Sequence, residues 1–131
     1  MVNFEADYLQ GIIHQKAVLP KLREFFKTKI RENEGRYCKY DFEDEDNVYE
    51  LKSRTNRKTQ YPTTLLTCNK VTDTEGKGII FLFKFTDELC YIKYDKVLFD
   101  TFERKPFSRV KDIRDEKDYY FIPVGQLFTI Q

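Results

Sequence analysis

Apolar positions recur at three-to-four-residue spacing from about Phe4 to Glu32, through Leu9, Ile12, Ile13 and then Leu19, Leu22, Phe26 and Ile30, which predicts helix over this stretch. Pro20 interrupts the pattern. It predicts a kink or break at Val18-Leu19 and a second helix from Pro20 to about Glu32, closed by Gly35. From Arg36 the period falls to two. Cys38, Tyr40 and Phe42 alternate with Lys39, Asp41 and Glu43, and a second run sets Val48, Glu50 and Lys52 against Tyr49, Leu51 and Ser53. The two runs predict a hairpin. With Glu45-Asp46 as its loop, Glu43 faces Val48, Asp41 faces Glu50 and Lys39 faces Lys52. Asp41, Glu50 and Lys52 then share one face, and Tyr40, Phe42, Tyr49 and Leu51 form an apolar face opposite.

Arg54 to Tyr61 reads as a polar, basic loop, and Pro62 is placed to start a short helix over Thr63 to Lys70. After the turn at Glu75-Gly76-Lys77-Gly78, Ile79 to Phe85 and Leu89 to Tyr94 predict a second hairpin around Thr86-Asp87-Glu88. Further strands are expected at Val97 to Phe102 and at Tyr119 to Ile122, the latter ended by Pro123. The segment between them, Glu103 to Asp118, is densely charged with both signs. No internal repeat is visible.

Composition narrows the classes. A chain of 131 residues fits one domain, and 9 Tyr with 12 Phe provide enough apolar surface for a folded core, which excludes disorder. No apolar run reaches the roughly 20 residues of a membrane span, and Met1 to Glu5 lack a signal-peptide pattern, so an intracellular, non-secreted protein is expected, in the cytoplasm or host nucleus if viral. Cys38, Cys68 and Cys90 are widely spaced, with no zinc or disulfide pattern, and read as reduced fillers. His14 is the lone histidine and cannot build a His-rich metal site. With 23 basic and 22 acidic residues the net charge is +1, so local charge placement decides what the surface attracts.

The chemistry concentrates on the first hairpin. Asp41 and Glu50, about 5 Å apart at Cβ if directly opposite, repel unless a cation lies between them. Two hard carboxylates with the Leu51 carbonyl form an oxygen set of the kind magnesium or manganese uses alongside substrate phosphates. Lys52 adds an ammonium able to orient a water or offset transition-state charge. These roles together predict phosphodiester hydrolysis.

Asp41 followed nine residues on by Glu50-Leu51-Lys52 resembles the D…(D/E)-x-K signature of the PD-(D/E)xK nuclease superfamily. The continuation through Ser53-Arg54, Tyr61-Pro62-Thr63-Thr64 and Asn69-Lys70 resembles its small viral and phage members. The resemblance covers roughly residues 11 to 70. It implies an α/β (α+β) domain spanning 1-131, restriction-endonuclease-like, with an N-terminal helix first and a mixed central sheet of about five strands flanked by helices. The implied activity is a Mg²⁺- or Mn²⁺-dependent endonuclease acting on DNA in preference to RNA. Many members carry a glutamate in the first helix after a glycine; here Gly11 to Gln15 puts Gln15 in that place, so an amide that can hydrogen-bond a water replaces a charge. The proline that often precedes the aspartate is replaced by Lys39-Tyr40.

The three-residue pattern alone occurs four times, also at Glu75-Gly76-Lys77, Glu103-Arg104-Lys105 and Asp115-Glu116-Lys117. Only Glu50-Leu51-Lys52 lies in an alternating strand with an aspartate across the hairpin. The same side chains also fit a plain solvent face with exposed ion pairs worth about 0 to 1 kcal/mol. Glu43, Asp44, Glu45 and Asp46 read as a solvated acidic turn that repels phosphate. A nucleic acid is therefore expected on the basic side, at Arg54, Arg57, Lys58 and Lys70, with Thr64 and Asn69 donating hydrogen bonds. Tyr61, Tyr119 and Tyr120 are either core residues or platforms for unpaired bases. The alternative is a catalytically inactive protein on the same scaffold that binds nucleic acid or protein partners. A domain of this size leaves room for a homodimer or a larger assembly, and no membrane partner is expected.

Overall fold

Three layers build the molecule: one long helix, a six-stranded mixed sheet and a three-stranded antiparallel sheet. The computed structural model describes residues 4–33, 39–107 and 117–131. Helix α1 spans Phe4–Phe26 without a break. Pro20 is accommodated because it and Lys16, whose carbonyl loses its usual N–H partner, both lie on the exposed side. The helix ends six residues before the expected Glu32. Lys27 takes a left-handed φ of 55° while its N–H donates to the Arg23 carbonyl at 2.9 Å, a C-terminal cap without glycine. Ile30 is buried as the periodicity implied, but from a connection leading into β1, Arg31–Glu32. Gly35 and Cys38 lie outside the described residues.

Strand β2 is short, Phe42–Glu43, and pairs antiparallel with β3, Asn47–Ser53, in the expected register, Glu43 opposite Val48. Tyr40 departs from the expected alternation. It precedes the strand and packs with Val48 beneath the small sheet, whereas Phe42 and Tyr49 pack on α1. Strand β5, Gly78–Lys84, lies parallel to β3, and β6, Leu89–Lys93, pairs with β5 as the expected hairpin. The nearly unbroken apolar run of β5 reflects burial on both faces: Ile80 and Leu82 meet α1, and Ile79, Phe81 and Phe83 meet the small sheet. Gly78 sits where β5 begins against β3; a Cβ there would collide with the Asn47 side chain.

The expected helix at Thr63 to Lys70 is instead β4, Thr63–Thr67, followed by a 3-10 turn over Cys68–Lys70. Threonines suit an extended backbone, and Thr64 and Leu66 point inward at period two. The expected strand at Val97 to Phe102 is a short helix, α2, Lys96–Phe99, started by the Asp95 carboxylate, which accepts from the Val97 and Leu98 N–H groups. Part of the charged segment forms β7, Glu103–Pro106. It pairs with β8, Asp118–Pro123, which covers the expected Tyr119 to Ile122 strand and pairs in turn with β4. Strand β9, Phe128–Thr129, closes the large sheet in the order β1-β2-β3-β5-β6-β9. The architecture is therefore α+β with a mixed sheet, in agreement with expectation at that level. The second face of the sheet is covered mainly by the small sheet and not by a long helix; the one-turn α2 adds Phe99 to that side of the core. No described helix is long and apolar enough to cross a membrane.

Candidate functional site

Asp41 lies just ahead of β2, with its backbone fixed from two sides. Its N–H donates to the Tyr49 carbonyl at 3.0 Å and its carbonyl accepts from the Asn33 N–H at 2.9 Å. The carboxylate is turned to the edge of β3, where Oδ2 accepts from the Leu51 N–H at 2.8 Å. Its other oxygen, Oδ1, accepts from Gln15 Nε2 of α1 at 2.7 Å. Gln15 thus ties α1 to the aspartate. N–H and C=O of one strand residue point to the same side, so the Leu51 carbonyl also faces the β2 edge.

Glu50 is 5% exposed and is flanked by two ammonium groups, Lys70 Nζ at 3.2 Å and Lys52 Nζ at 3.5 Å from Oε1. Lys70 arrives through Tyr40, whose hydroxyl donates to the Lys70 carbonyl at 2.9 Å and lies 2.7 Å from Thr72 Oγ1. Burial first, and then the Glu50 charge, raise the Asp41 pKa from 3.8 to about 6 against the opposing pull of the Leu51 N–H, Lys52 and Lys70. Asp41 therefore still senses the Glu50 charge, although two ammonium groups flank Glu50. Among the described residues no cluster of three or more His, Cys, Asp or Glu side chains surrounds a common point. The oxygen donors in reach are two carboxylates, the Leu51 carbonyl and the Gln15 amide.

Lys52 and Lys70 open onto a cleft of about 540 Å³ whose other lining residues are Lys39, Thr67, Asn69 and Lys117. Among the described residues, four lysines and no acid line it. Lys70 reaches Glu50 from the 3-10 turn and not from the expected helix, and Asn69 beside it lines the cleft. Lys117 is brought in by β8, which begins at the next residue; the sequence marked it only within Asp115-Glu116-Lys117, a match set aside for want of an alternating strand.

The remaining expected contacts divide. Arg54 is a brace: its Nε donates to Thr64 Oγ1 at 3.2 Å, its Nη2 donates to the Leu65 carbonyl, and its guanidinium lies 5.7 Å from the Phe83 ring centre. Thr64 is buried and committed to that brace, so its hydroxyl points away from the surface expected to meet phosphate. Arg57 pairs with Asp87 at 3.7 Å, and the Lys58 N–H donates to Asp87 at 3.0 Å, tying this loop to the β5–β6 turn and away from the lysine cleft. The acidic turn is not uniformly solvated either, since Asp44 is 3% exposed.

His14 lies 2.7 Å from Ser53 Oγ through Nδ1 and accepts from Gln10 Nε2 at 2.9 Å, a link between α1 and the end of β3. Cys90 is buried and Cys68 half-buried, both free, and burial raises both thiol pKa values. Comparison with family models, curated proteins and solved structures finds no match to this chain.

Proposed function

We propose that this chain is a metal-dependent nuclease of the PD-(D/E)xK, restriction-endonuclease-like type, cutting phosphodiester bonds within nucleic acid, DNA in preference to RNA, inside the cell. The observation that carries the reading is the meeting of Asp41 and Glu50 at one strand edge beside Lys52, at the mouth of a lysine-lined cleft. The residues present fit one hard cation. Magnesium takes one or two carboxylates and completes its shell with waters and phosphate oxygens, and Asp41 carries a charge its surroundings leave under-compensated.

Magnesium or manganese held by Asp41, Glu50 and the Leu51 carbonyl would supply Lewis-acid polarisation of a phosphoryl oxygen. Lys52 brings a fixed positive charge to the side of the phosphate where negative charge develops. Lys39, Lys70 and Lys117 hold the flanking phosphates, and Gln15 keeps the Asp41 carboxylate in place. With an amide in place of the helix acid, one ion is favoured over two.

Cleavage of single-stranded, duplex and branched DNA, and of RNA, with and without Mg²⁺ or Mn²⁺, tests this. Glu50→Ala and Lys52→Ala are each expected to lower the rate at least 10³-fold, with circular dichroism unchanged. Cleavage at the normal rate by both variants overturns the assignment. A second reading, binding without cleavage, draws support from the Lys70 ammonium on Glu50 and the Gln15 amide on Asp41, which already occupy both carboxylates. Salt-dependent binding with no Mg²⁺-dependent cleavage of any substrate selects it.

A further inference from the structure

The lysine cleft does not end at Lys52. A second cleft of about 200 Å³ shares Lys52 and Thr67 with it and adds Arg54, Leu65, Phe107 and Tyr119. A third, of about 420 Å³, shares Arg54, Leu65 and Phe107 with the second and runs on to Thr63 and Tyr61. The three form one track along β4. Its floor is the outward face of that strand, Thr63, Leu65 and Thr67, while Thr64 and Leu66 are buried beneath.

The track changes character along its length. At one end are the lysines around Glu50; at the other are aromatic rings held open to solvent. The ladder sets Tyr119 opposite Thr67 and Phe121 opposite Leu65, so both rings stand on the outward face of the small sheet. Phe121 is covered by Lys105, whose Nζ lies 4.8 Å from the ring centre. Phe107, 39% exposed, meets Tyr119 edge-on at 6.2 Å and 87°, and Tyr61 is 54% exposed at the far end. Tyr120, by contrast, is core. Among the described residues, none lining the three clefts is acidic.

We infer that this track binds a single nucleic acid strand, its phosphates on the lysines and its unpaired bases stacked on Tyr119, Phe107 and Tyr61. Thr63 to Thr67 covers about 13 Å of strand, enough for roughly four nucleotide steps at 3.4 Å. An exposed sheet face with aromatics flanked by cations suits a lone strand because rings reach base faces only when those faces are unpaired. A duplex hides its base faces and offers only phosphates. The inference deepens the nuclease reading by naming the form of substrate at the same site. It rests on that reading only for what becomes of the bound strand.

Fluorescence anisotropy with a labelled 15-nucleotide strand, against a blunt duplex of the same length, without divalent metal and at several salt concentrations, tests the track. The single strand is expected to bind at least tenfold more tightly. The double variant Phe107→Ala/Tyr119→Ala should lose about ten- to a hundredfold in single-strand affinity with its salt slope unchanged. Lys39→Ala/Lys117→Ala should instead flatten the slope by up to about two. Tyr119→Phe, which keeps the ring, should bind as wild type, whereas Tyr119→Leu, which keeps apolar volume, should not. Equal or better duplex binding, or unaltered single-strand affinity in both the double variant and Tyr119→Leu, overturns the track. In that case Glu50-dependent cleavage of a duplex would still uphold the nuclease. Tight single-strand binding with no cleavage would uphold the track and overturn the nuclease.

Discussion

Asp41 and Asp44 are three residues apart around the same hairpin, and their environments are opposite. Asp44 is buried, and four donors saturate it. Oδ1 accepts from the Asp46 and Asn47 N–H groups at 2.9 and 2.7 Å, and Oδ2 from the Tyr49 and Thr28 hydroxyls at 2.6 and 2.7 Å. Burial alone would raise its pKa, but these bonds, Tyr49 first, outweigh burial and hold it below the ordinary value. Asp41 has two donors and a neighbouring carboxylate, and its pKa is raised to about 6. The same residue type thus serves as an internal staple in one place and as an under-neutralised charge in the other. A carboxylate whose lone pairs are all engaged by its own chain has nothing left for a ligand; one that faces another carboxylate gains from a cation.

Three substitutions test that contrast. The largest effect is expected from Asp44→Ala, which strands two hydroxyls and two turn N–H groups. A loss of about 3 kcal/mol in urea denaturation is expected, or roughly 10 °C in thermal midpoint. A change below about 0.5 kcal/mol would mean that the staple contributes little.

Next is Asp41→Asn, expected to stabilise the metal-free protein at pH 7.5 by about 1 to 2 kcal/mol, a figure reduced for the group's partial exposure. The sign follows from linkage. Because the folded pKa lies above the unfolded 3.8, the Asp41 contribution is fully present below pH 4 and is lost as pH rises through about 6. Asp44 runs the other way, its contribution present above pH 4 and lost as pH falls through its lowered folded pKa. Denaturation curves at pH 4, 5, 6 and 7 should therefore show a downward term between pH 4 and 6 in wild type that is absent in Asp41→Asn. Identical pH profiles in the two proteins would refute the raised pKa. Mg²⁺ should raise the thermal midpoint of wild type near neutral pH and leave that of Asp41→Asn unchanged.

The smallest effect is expected from Gln15→Glu, which turns the pair into three carboxylates. Without metal it should cost up to about 1 kcal/mol by like-charge repulsion, and calorimetric titration should show Mg²⁺ or Mn²⁺ bound about tenfold more tightly. Unchanged affinity would place the ion out of reach of α1.

Much of the site was legible in the letters because its central part is local. Alternation fixed the register that puts Glu43 opposite Val48, and from there the approach of Asp41 to Glu50 follows. Lys52 is two residues from Glu50 on the same strand face, while Gln15 was pointed to only by the family resemblance, which expects an acid after Gly11. The apolar run of β5 and its return through β6 were equally readable. Beyond the hairpin, legibility failed where neighbours decide conformation. The Thr63 to Lys70 segment has a proline suited to a helix start, yet pairing with β8 made it a strand. Val97 to Phe102 looked extended because its apolar residues were weighed and the Asp95 cap was not. Arg54 and Thr64 looked ready for phosphate until β4 brought them to each other.

By itself the sequence determined the α1 stripe, the β2–β3 and β5–β6 hairpins and the company of Asp41, Glu50 and Lys52, because each depends on side-chain period and on turns of a few residues. Only the tertiary structure decided the parallel pairing of β3 with β5, the small sheet over the second face, the Lys70 contact with Glu50, the four-lysine cleft and the track of rings along β4. Each of these joins segments separated by long stretches of chain. Their meeting is set by how whole faces pack and by the loops that can close between them, and no local periodicity encodes that.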